Sequence, residues 1–341
     1  MKRLFFEPCY SIIVKKYKEW KVMKKIISVL LILVLLCTAL YGCGAAETAD
    51  KPDDCKIGIA APDVTHGWVA GVAYYAEKYC KEQGITYKIT TSADAAEMMA
   101  SLNDLVTWGA DAVILWPQWT GMEDAVSEII AQGIPVINFD VNINAEGIYK
   151  VTGNNYGMGY ESAKYIVEKV GEAANIAVMD VPSVGSVTEQ RKAGFYAYLD
   201  EINYDKSNIF EVSEAAFTRD DGLRDMTDIL ESHKQVDAVF SMDDETSIGA
   251  IQAITEAGRT DIKAITGGGG MQEYFKMIKD TKYASLGLAS ALYSPSMVED
   301  AVKAAISLCN GEPCESEIVI PTTIVTADNV DNYIDPQNTV Y

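Results

Sequence analysis

Apolar and polar positions between residues 56 and 84 predict one strand, one loop and one helix. The apolar run at 57–61 is typical of a buried strand. After a polar loop, apolar residues recur at gaps of three and four, which describe one face of a helix that ends at Gly84. Those residues are Val69, Val72, Ala73, Ala76, Tyr79 and Cys80. In open parallel sheets a ligand lies beyond the carboxyl end of a strand, and here that loop offers His66 and Trp68.

The alternation of strands and helices continues in two runs of similar order. The first run predicts strands at 85–91, 112–116, 134–139 and 148–152, and helices at 93–108 and 122–132. The second predicts strands at 175–179, 209–212, 238–241 and 262–266, and helices at 187–201, 222–233 and 246–258. Such alternation indicates parallel sheets covered on both faces. The motifs Asp111-Ala-Val-Ile and Asp237-Ala-Val-Phe occupy matching places in the two runs, so we expect two copies of one α/β lobe.

The last part of the chain departs from this rhythm. It predicts a strand at 284–289, a helix at 296–308 and a strand at 318–325, which is more than one lobe needs. A chain that crosses several times between two lobes produces this pattern, and such crossings form a hinge beside a closing cleft. The predicted fold is α/β, with two similar doubly wound parallel-sheet lobes joined by that hinge. We assign residues 55–153 with 290–318 to the N-terminal lobe and 154–289 with 319–341 to the C-terminal lobe.

The first 42 residues have the organisation of a secretory signal. Two lysines precede a strongly apolar stretch at 26–36, and a box like that of bacterial lipoproteins ends at Cys43. The apolar stretch is shorter than the roughly 20 residues of a spanning helix, which favours cleavage over an uncleaved anchor. We predict a leader at 1–42, with Met23 as an alternative start, a lipidated Cys43 and a polar tether at 43–54. The protein would then be exported, either lipid-anchored to the outer face of the cell membrane or periplasmic.

The charge of the chain excludes one class of partner. The formal net charge is −21, and without residues 1–42, which hold 8 basic and 2 acidic residues, it becomes −27. Nucleic-acid binding requires clustered basic residues, so we predict no nucleic-acid partner. Solubility is a sufficient explanation of the acidity.

Four cysteines follow the tether: Cys55, Cys80, Cys309 and Cys314. The last two flank a Gly-Glu-Pro turn and could close a small loop, the first two could form a second bridge, and free buried thiols are the alternative. The chain has two histidines and no paired CxxC motif. We therefore predict no metal site.

Four short segments occur along the chain in an order that is typical of one protein family. They are Gly133-Ile-Pro-Val-Ile-Asn-Phe-Asp140, Arg191-Lys-Ala-Gly-Phe195, Asp237-Ala-Val-Phe-Ser-Met-Asp-Asp-Glu245 leading into Gly249-Ala, and Gly258 before a strand. Together they resemble the periplasmic ribose- and galactose-binding proteins of ABC importers, a family in the same superfamily as the effector domains of lactose-repressor-type regulators. The resemblance runs from Ile57 to about Val325. It implies a type I periplasmic binding protein that holds a sugar between two lobes.

In that family the sugar stacks on aromatic rings and is held by charged side chains at strand ends. The resemblance implies six ligand contacts in this chain: His66, Trp68, Asp140, Arg191, Phe217 and Asp243. These residue types suit a sugar, because its C–H faces pack on aromatic rings and its hydroxyls pair with a carboxylate or a guanidinium. Trp116 and Trp119 follow the third predicted strand. They could form part of the cleft wall or could pack in the core, and the sequence favours neither interpretation.

The candidate contacts have structural alternatives, and the pattern departs from that of ribose binders. Asp140 and Asp243 could cap helices instead of binding a ligand. Val141, Gly267–Gly270 and Ala289 stand where the resemblance leads us to expect polar contacts. These departures favour another monosaccharide, a polyol or a furanose-like signal such as autoinducer-2.

We therefore expect a monomeric solute-binding lipoprotein that delivers a small polyhydroxy ligand to an ABC permease and its ATPase. A ligand-sensing subunit of a membrane receptor is an alternative with the same fold. A dinucleotide-dependent enzyme is disfavoured, because Gly267–Gly270 lacks the G-x-G-x-x-G spacing at a helix start. No motif pairs a nucleophile with a base, so we expect neither enzymatic activity nor a cofactor.

Overall fold

The computed structural model describes residues 55–64, 67–339 and 341. The predicted leader, the lipidated Cys43 and the tether lie outside the described residues, and so does His66. Within the described ranges, no helix is both long and apolar enough to cross a membrane.

Two six-stranded sheets form the framework of the described chain. In chain order the strands are β1 Lys56–Pro62, β2 Thr86–Ser92, β3 Ala112–Leu115, β4 Val136–Phe139, β5 Tyr149–Gly153, β6 Ile176–Asp180, β7 Ile209–Ser213, β8 Ala238–Phe240, β9 Ala264–Gly269, β10 Leu288–Leu292, β11 Glu317–Ile320 and β12 Ile324–Val325. The first sheet has the order β11-β5-β4-β3-β1-β2 and the second β12-β10-β9-β8-β6-β7. Neighbouring strands are parallel except β10 and β12. The two lobes repeat one topology, which confirms the predicted fold class.

Helices cover both faces of each sheet. In chain order they are α1 Gly67–Gln83, α2 Ala95–Trp108, α3 Glu123–Ala131, α4 Asn155–Val170, α5 Ser186–Glu201, α6 Arg219–Ser232, α7 Asp244–Glu256, α8 Gln272–Lys279 and α9 Val298–Cys309. The hydrophobic pattern does not predict α4 or α8. Helices α1 and α9 share a core with one face of the first sheet, and α2 and α3 with the other. In the second sheet α4 and α5 lie on one face and α6, α7 and α8 on the other.

The central strands are buried along their whole length. Every residue of β3, β4 and β6 is buried, as expected for parallel strands with a helix layer on each side. This burial explains why their sequences are mostly apolar and do not alternate with polar residues; Asn138 of β4 and Asp180 of β6 are the exceptions. The carboxyl ends of these strands carry the loops that form the site described below.

The chain passes between the two sheets after β5, after β10 and after β11. The predicted single strand at 318–325 is wrong: Pro321, which has no N–H to donate, separates β11 in the first sheet from β12 in the second. The predicted strand at 284–289 is also wrong. A 3₁₀ segment at Thr281–Leu286 and the left-handed Gly287 precede β10 instead.

The lobe boundaries differ from those assigned to the sequence near the end of the chain. The expected boundaries at 289/290 and 318/319 fall inside β10 and β11, so the chain changes sheets a few residues later. The segment 319–341 does not stay with the second lobe, because Tyr341 lies in the core cluster shared by α1 and α9.

Within the described chain a disulfide joins Cys55, just before β1, to Cys309 at the end of α9. Their Cα atoms are 6.0 Å apart although 254 positions separate them in the sequence. Cys80 and Cys314 are free thiols. The pairings considered from the sequence, Cys309 with Cys314 and Cys55 with Cys80, are therefore wrong. They rested on closeness along the chain, whereas the fold brings α9 against the first sheet.

Candidate ligand-binding site

A cavity of about 70 Å³ lies between the two lobes, where the carboxyl ends of their strands face each other. This volume has room for several water-sized groups. The cavity is lined by Trp68, Gln118, Asp140, Val184, Val187, Arg191, Phe217, Asp243, Gly268, Gly269 and Tyr293. These residues end strands or follow them, which is the usual place for a ligand in parallel α/β sheets.

Trp68 forms one wall of the cavity and is held by other aromatic rings. Its indole is parallel to the ring of Phe139, with 6.3 Å between centroids, and meets Trp116 edge-on at 5.8 Å. The indole Nε1 donates a hydrogen bond of 2.8 Å to the carbonyl oxygen of Tyr293. The ring is fixed by the protein itself, so little side-chain entropy remains to be lost when a ligand stacks on it.

Asp140 follows β4 and accepts a hydrogen bond of 2.5 Å from the Tyr293 hydroxyl to its Oδ1. Its backbone is left-handed, with φ 67°, a conformation that Asp tolerates better than most residues. Burial raises the pKa of the Asp140 carboxyl, while the hydrogen bond from Tyr293 and the charge of Arg191 lower it. The Tyr293 hydroxyl also accepts from Asn155 Nδ2 at 3.2 Å. Asn155 begins α4 of the second lobe, so this short chain of hydrogen bonds connects the two lobes.

Arg191 extends from α5 into the cavity, and neighbouring groups fix its guanidinium. Its Nε donates to Asn155 Oδ1 at 2.9 Å, and its Nη1 donates to the carbonyl oxygen of Met242 at 2.8 Å. The guanidinium carbon lies 4.8 Å from the ring centroid of Tyr293 and 5.8 Å from that of Phe217. Among the described residues these bonds use Nε and Nη1, so Nη2 is available to an oxygen atom of a ligand.

Asp243 lines the cavity and also caps α7. Its Oδ1 accepts backbone N–H groups from Glu245 at 2.7 Å and Thr246 at 3.1 Å. Burial and the neighbouring Asp244 carboxylate raise the pKa of Asp243 to about 8. At pH 7 the carboxyl is then mostly protonated and can donate a hydrogen bond as well as accept one.

The glycine run Gly267–Gly270, at the end of β9, contributes backbone rather than side chains to the cavity. Asp244 holds the end of this run, because its Oδ2 accepts N–H groups from Gly270 and Met271, each at 2.9 Å. A Cβ atom at Gly268 would lie 2.9 Å from the backbone carbonyl oxygen of Met242, which is too close. A side chain at position 268 would therefore require the backbone to shift.

The structure brings Trp68, Asp140, Arg191, Phe217 and Asp243 together around one cavity. His66 lies outside the described residues, so its role stays a prediction. Trp116 is buried behind Trp68 and does not line the cavity, and Trp119 packs on the other face of the first sheet.

The sequence pattern missed Tyr293, which touches Trp68, Asp140 and Arg191. A signal was present, since Tyr293 is an aromatic residue directly after a strand. The hydrophobic pattern predicts this strand at 284–289, whereas β10 is Leu288–Leu292, so Tyr293 does not directly follow the predicted strand. Gln118, between the two tryptophans of the third loop, was missed as well.

Comparison with known proteins decides the family. A model of the periplasmic binding protein domain matches residues 57–313. The chain belongs to the periplasmic binding protein family. This family consists of exported solute-binding proteins rather than enzymes.

The similarity of this periplasmic binding protein to curated relatives spans both lobes. It is 27% identical over 314 residues to the ribose import binding protein RbsB of Bacillus subtilis (strain 168), covering 89% of this chain and 99% of RbsB. It is 25% identical over 297 residues to a xylitol-binding protein of Mycolicibacterium smegmatis, covering 86% of this chain and 83% of that protein. The crystal structure of a galactofuranose binding protein superimposes with a TM-score of 0.74 at 25% identity, covering 84% and 99% of the two chains.

Proposed function

We propose that this periplasmic binding protein captures a sugar or polyol between its lobes and delivers it to an ABC permease. The observation that carries the proposal is that one guanidinium, two carboxyls and three aromatic side chains from both lobes meet at one cavity. The names of the curated relatives, which include ribose and xylitol binders, support the same class of ligand.

The chemistry of the cavity suits a neutral polyhydroxy compound. Trp68 and Phe217 offer apolar faces to C–H groups, while Asp140 and Asp243, which follow strands, and Arg191, which lies on α5, offer hydrogen bonds. A ligand hydroxyl buried without a partner costs about 1–3 kcal/mol, so this fixed arrangement discriminates between stereoisomers.

A thermal-shift screen of residues 45–341 tests the proposal. The panel contains D-ribose, D-allose, xylitol, myo-inositol, L-arabinose and autoinducer-2. A ligand at 100 times its Kd should stabilise the protein by about 2.7 kcal/mol, which is a measurable rise in Tm. Folded protein, freed of carried-over ligand by unfolding and refolding, that responds to no member of the panel would contradict the proposal.

The double variant Trp68→Ala, Asp140→Ala should lose the ligand-induced rise in Tm. It removes a stacking face and a hydrogen-bonding carboxyl, and each such contact contributes about 1–3 kcal/mol. Calorimetric titration measures the loss. The matched control is Trp108→Ala, Asp104→Ala, which changes the same residue types on α2, away from the cavity. Unchanged binding in the first variant would rule out the site.

We also propose that Cys43 carries a lipid that anchors the protein at the membrane. The support is the sequence alone: an apolar stretch followed by a lipoprotein-like box. Mass spectrometry of the N-terminal fragment from the membrane fraction would detect the acyl chains, and a fragment that begins upstream of Cys43 would contradict the anchor.

A further inference from the structure

The segment 335–341 runs from the second lobe to the first. Near its start, the backbone N–H of Asp335 donates to Gln272 Oε1 on α8 at 2.7 Å. Further along, Asn338 Nδ2 donates to the hydroxyl of Tyr75 on α1 at 2.8 Å. The segment therefore spans the two lobes on the side of α1 and α8.

Tyr341 fills a space between the lobes that glycines leave open. A Cβ atom at Gly67 of α1 would lie 3.1 Å from Tyr341 Cδ2, and one at Gly71 would lie 3.2 Å from Tyr341 Cβ. In the second lobe, a Cβ atom at Gly269 would lie 2.3 Å from the Tyr341 hydroxyl oxygen. Gly269 itself lines the cavity. The phenol thus lies between the start of α1 and the end of β9, with its hydroxyl beside Gly269.

The hydroxyl of Tyr341 is buried and has no hydrogen-bond partner among the described residues. The residue is only 3% exposed. Burial raises the pKa of this hydroxyl well above its usual value, and the nearby Asp243, Asp244 and Glu245 carboxyls raise it further. The group is therefore protonated, and its O–H is an unused donor. Most buried polar groups of folded proteins have a hydrogen-bond partner, so a donor without a protein partner beside a cavity is available to a bound molecule.

The position of this donor complements the rest of the site. The glycine run ending at Gly270 gives this side of the cavity no polar side chain. Asp243 and Arg191, which do line the cavity, are both close enough to act electrostatically on the Tyr341 hydroxyl. A ligand oxygen next to Gly269 would come within reach of the Tyr341 O–H and satisfy it.

We propose that Tyr341 is a further ligand-binding residue, whose hydroxyl donates a hydrogen bond to an oxygen atom of the bound sugar or polyol beside Gly269. The proposal rests on the proposed function of the cavity. It differs from a purely structural role for Tyr341, in which the ring fills space and the hydroxyl contributes nothing.

The variant Tyr341→Phe separates these two roles. Removal of an unpaired buried hydroxyl should leave the Tm of the unliganded protein unchanged or slightly higher. If the hydroxyl binds the ligand, the affinity should nevertheless fall about 5- to 10-fold, the usual effect of one lost neutral hydrogen bond. The matched control is Tyr333→Phe, since Tyr333 lies earlier in the same part of the chain and contacts Phe275 instead of the cavity.

The measurement is calorimetric titration of the wild type and both variants with the tightest binder among D-ribose, D-allose, xylitol and myo-inositol. Deoxy analogues of that ligand provide a second readout: one analogue should bind the wild type and Tyr341→Phe equally, because it lacks the oxygen that Tyr341 contacts. A wild type that binds a panel member, with equal affinity in Tyr341→Phe, would overturn this inference and leave the proposed function standing. A wild type that binds nothing would overturn both.

Discussion

Thr246 connects two buried carboxyls of the second lobe. Its backbone N–H donates to Asp243, and its hydroxyl donates to Glu214 Oε2 at 3.3 Å. Asp243 uses one oxygen to cap α7 and still lines the cavity, so capping and ligand contact do not exclude each other. Asp140, by contrast, caps no helix, and its left-handed backbone places the carboxyl against Tyr293. Single residues of the same type thus serve different purposes according to their surroundings.

The stability of the protein should fall as pH rises from about 5 to 8, and Glu214→Gln should weaken this fall. Burial and the nearby Asp225 carboxylate raise the pKa of Glu214 from 4.5 to about 8. Between these two pKa values the folded state holds a proton that the unfolded state has released. The free energy of unfolding therefore falls as pH rises from 4.5 to about 8, and at higher pH this group causes no further fall. Asp243 contributes with the same sign, so part of the dependence should remain.

Tm values of wild type and Glu214→Gln at pH 5 and pH 8 check this expectation. The control is Glu128→Gln, an exposed position on α3. An equal fall of Tm in wild type and Glu214→Gln would show that the Glu214 carboxyl does not cause the dependence.

At the scale of elements, the contact between α4 and α5 positions Arg191. A Cβ atom at Gly159 of α4 would lie 1.7 Å from the carbonyl oxygen of Arg191, and one at Gly194 of α5 would lie 1.9 Å from that of Tyr156. The two helices can approach this closely only through glycine. Glycine also lowers helix propensity by about 1 kcal/mol, which explains why the sequence pattern did not predict α4.

Gly194→Ala should therefore push α5 away from α4 and move Arg191 out of its place beside Tyr293. Overpacking of this kind costs about 1–3 kcal/mol of stability. We expect a lower Tm and a ligand affinity reduced about 10-fold or more, because a buried guanidinium in the wrong position no longer pairs with the ligand. Differential scanning calorimetry and titration measure the two effects. A Tm and a ligand affinity equal to those of the wild type would show that the contact between α4 and α5 accommodates an extra methyl group.

At the scale of the whole molecule, the described chain forms two sheets of one topology and passes between them after β5, β10 and β11, and the disulfide between Cys55 and Cys309 closes the first lobe. Cys55 precedes the central strand β1, while Cys309 ends α9, which the chain reaches only after it has built most of the second lobe. The bridge therefore holds the returning part of the chain to the lobe in which the chain began.

Cys309→Ser should lower the free energy of unfolding by about 2–5 kcal/mol, since the bridge closes a long loop in the unfolded chain. Chemical denaturation under oxidising conditions measures the change. The control is Cys314→Ser, which removes a half-exposed free thiol a few positions away. Equal stability of Cys309→Ser and the control would contradict the bridge, as would alkylation of Cys55 and Cys309 in the unreduced, denatured wild type.

The sequence by itself determined the two α/β lobes and five of the eleven residues that line the cavity. Strands and helices follow from local periodicity, Trp68 follows from its place in the loop after a strand, and Asp140 follows from the resemblance to a known family. Only the tertiary structure decided that Cys55 pairs with Cys309, that the chain changes sheets at Pro321, and that Tyr293 joins the cavity. These features depend on contacts between segments that are far apart in the chain, and local hydrophobic patterns do not specify such contacts.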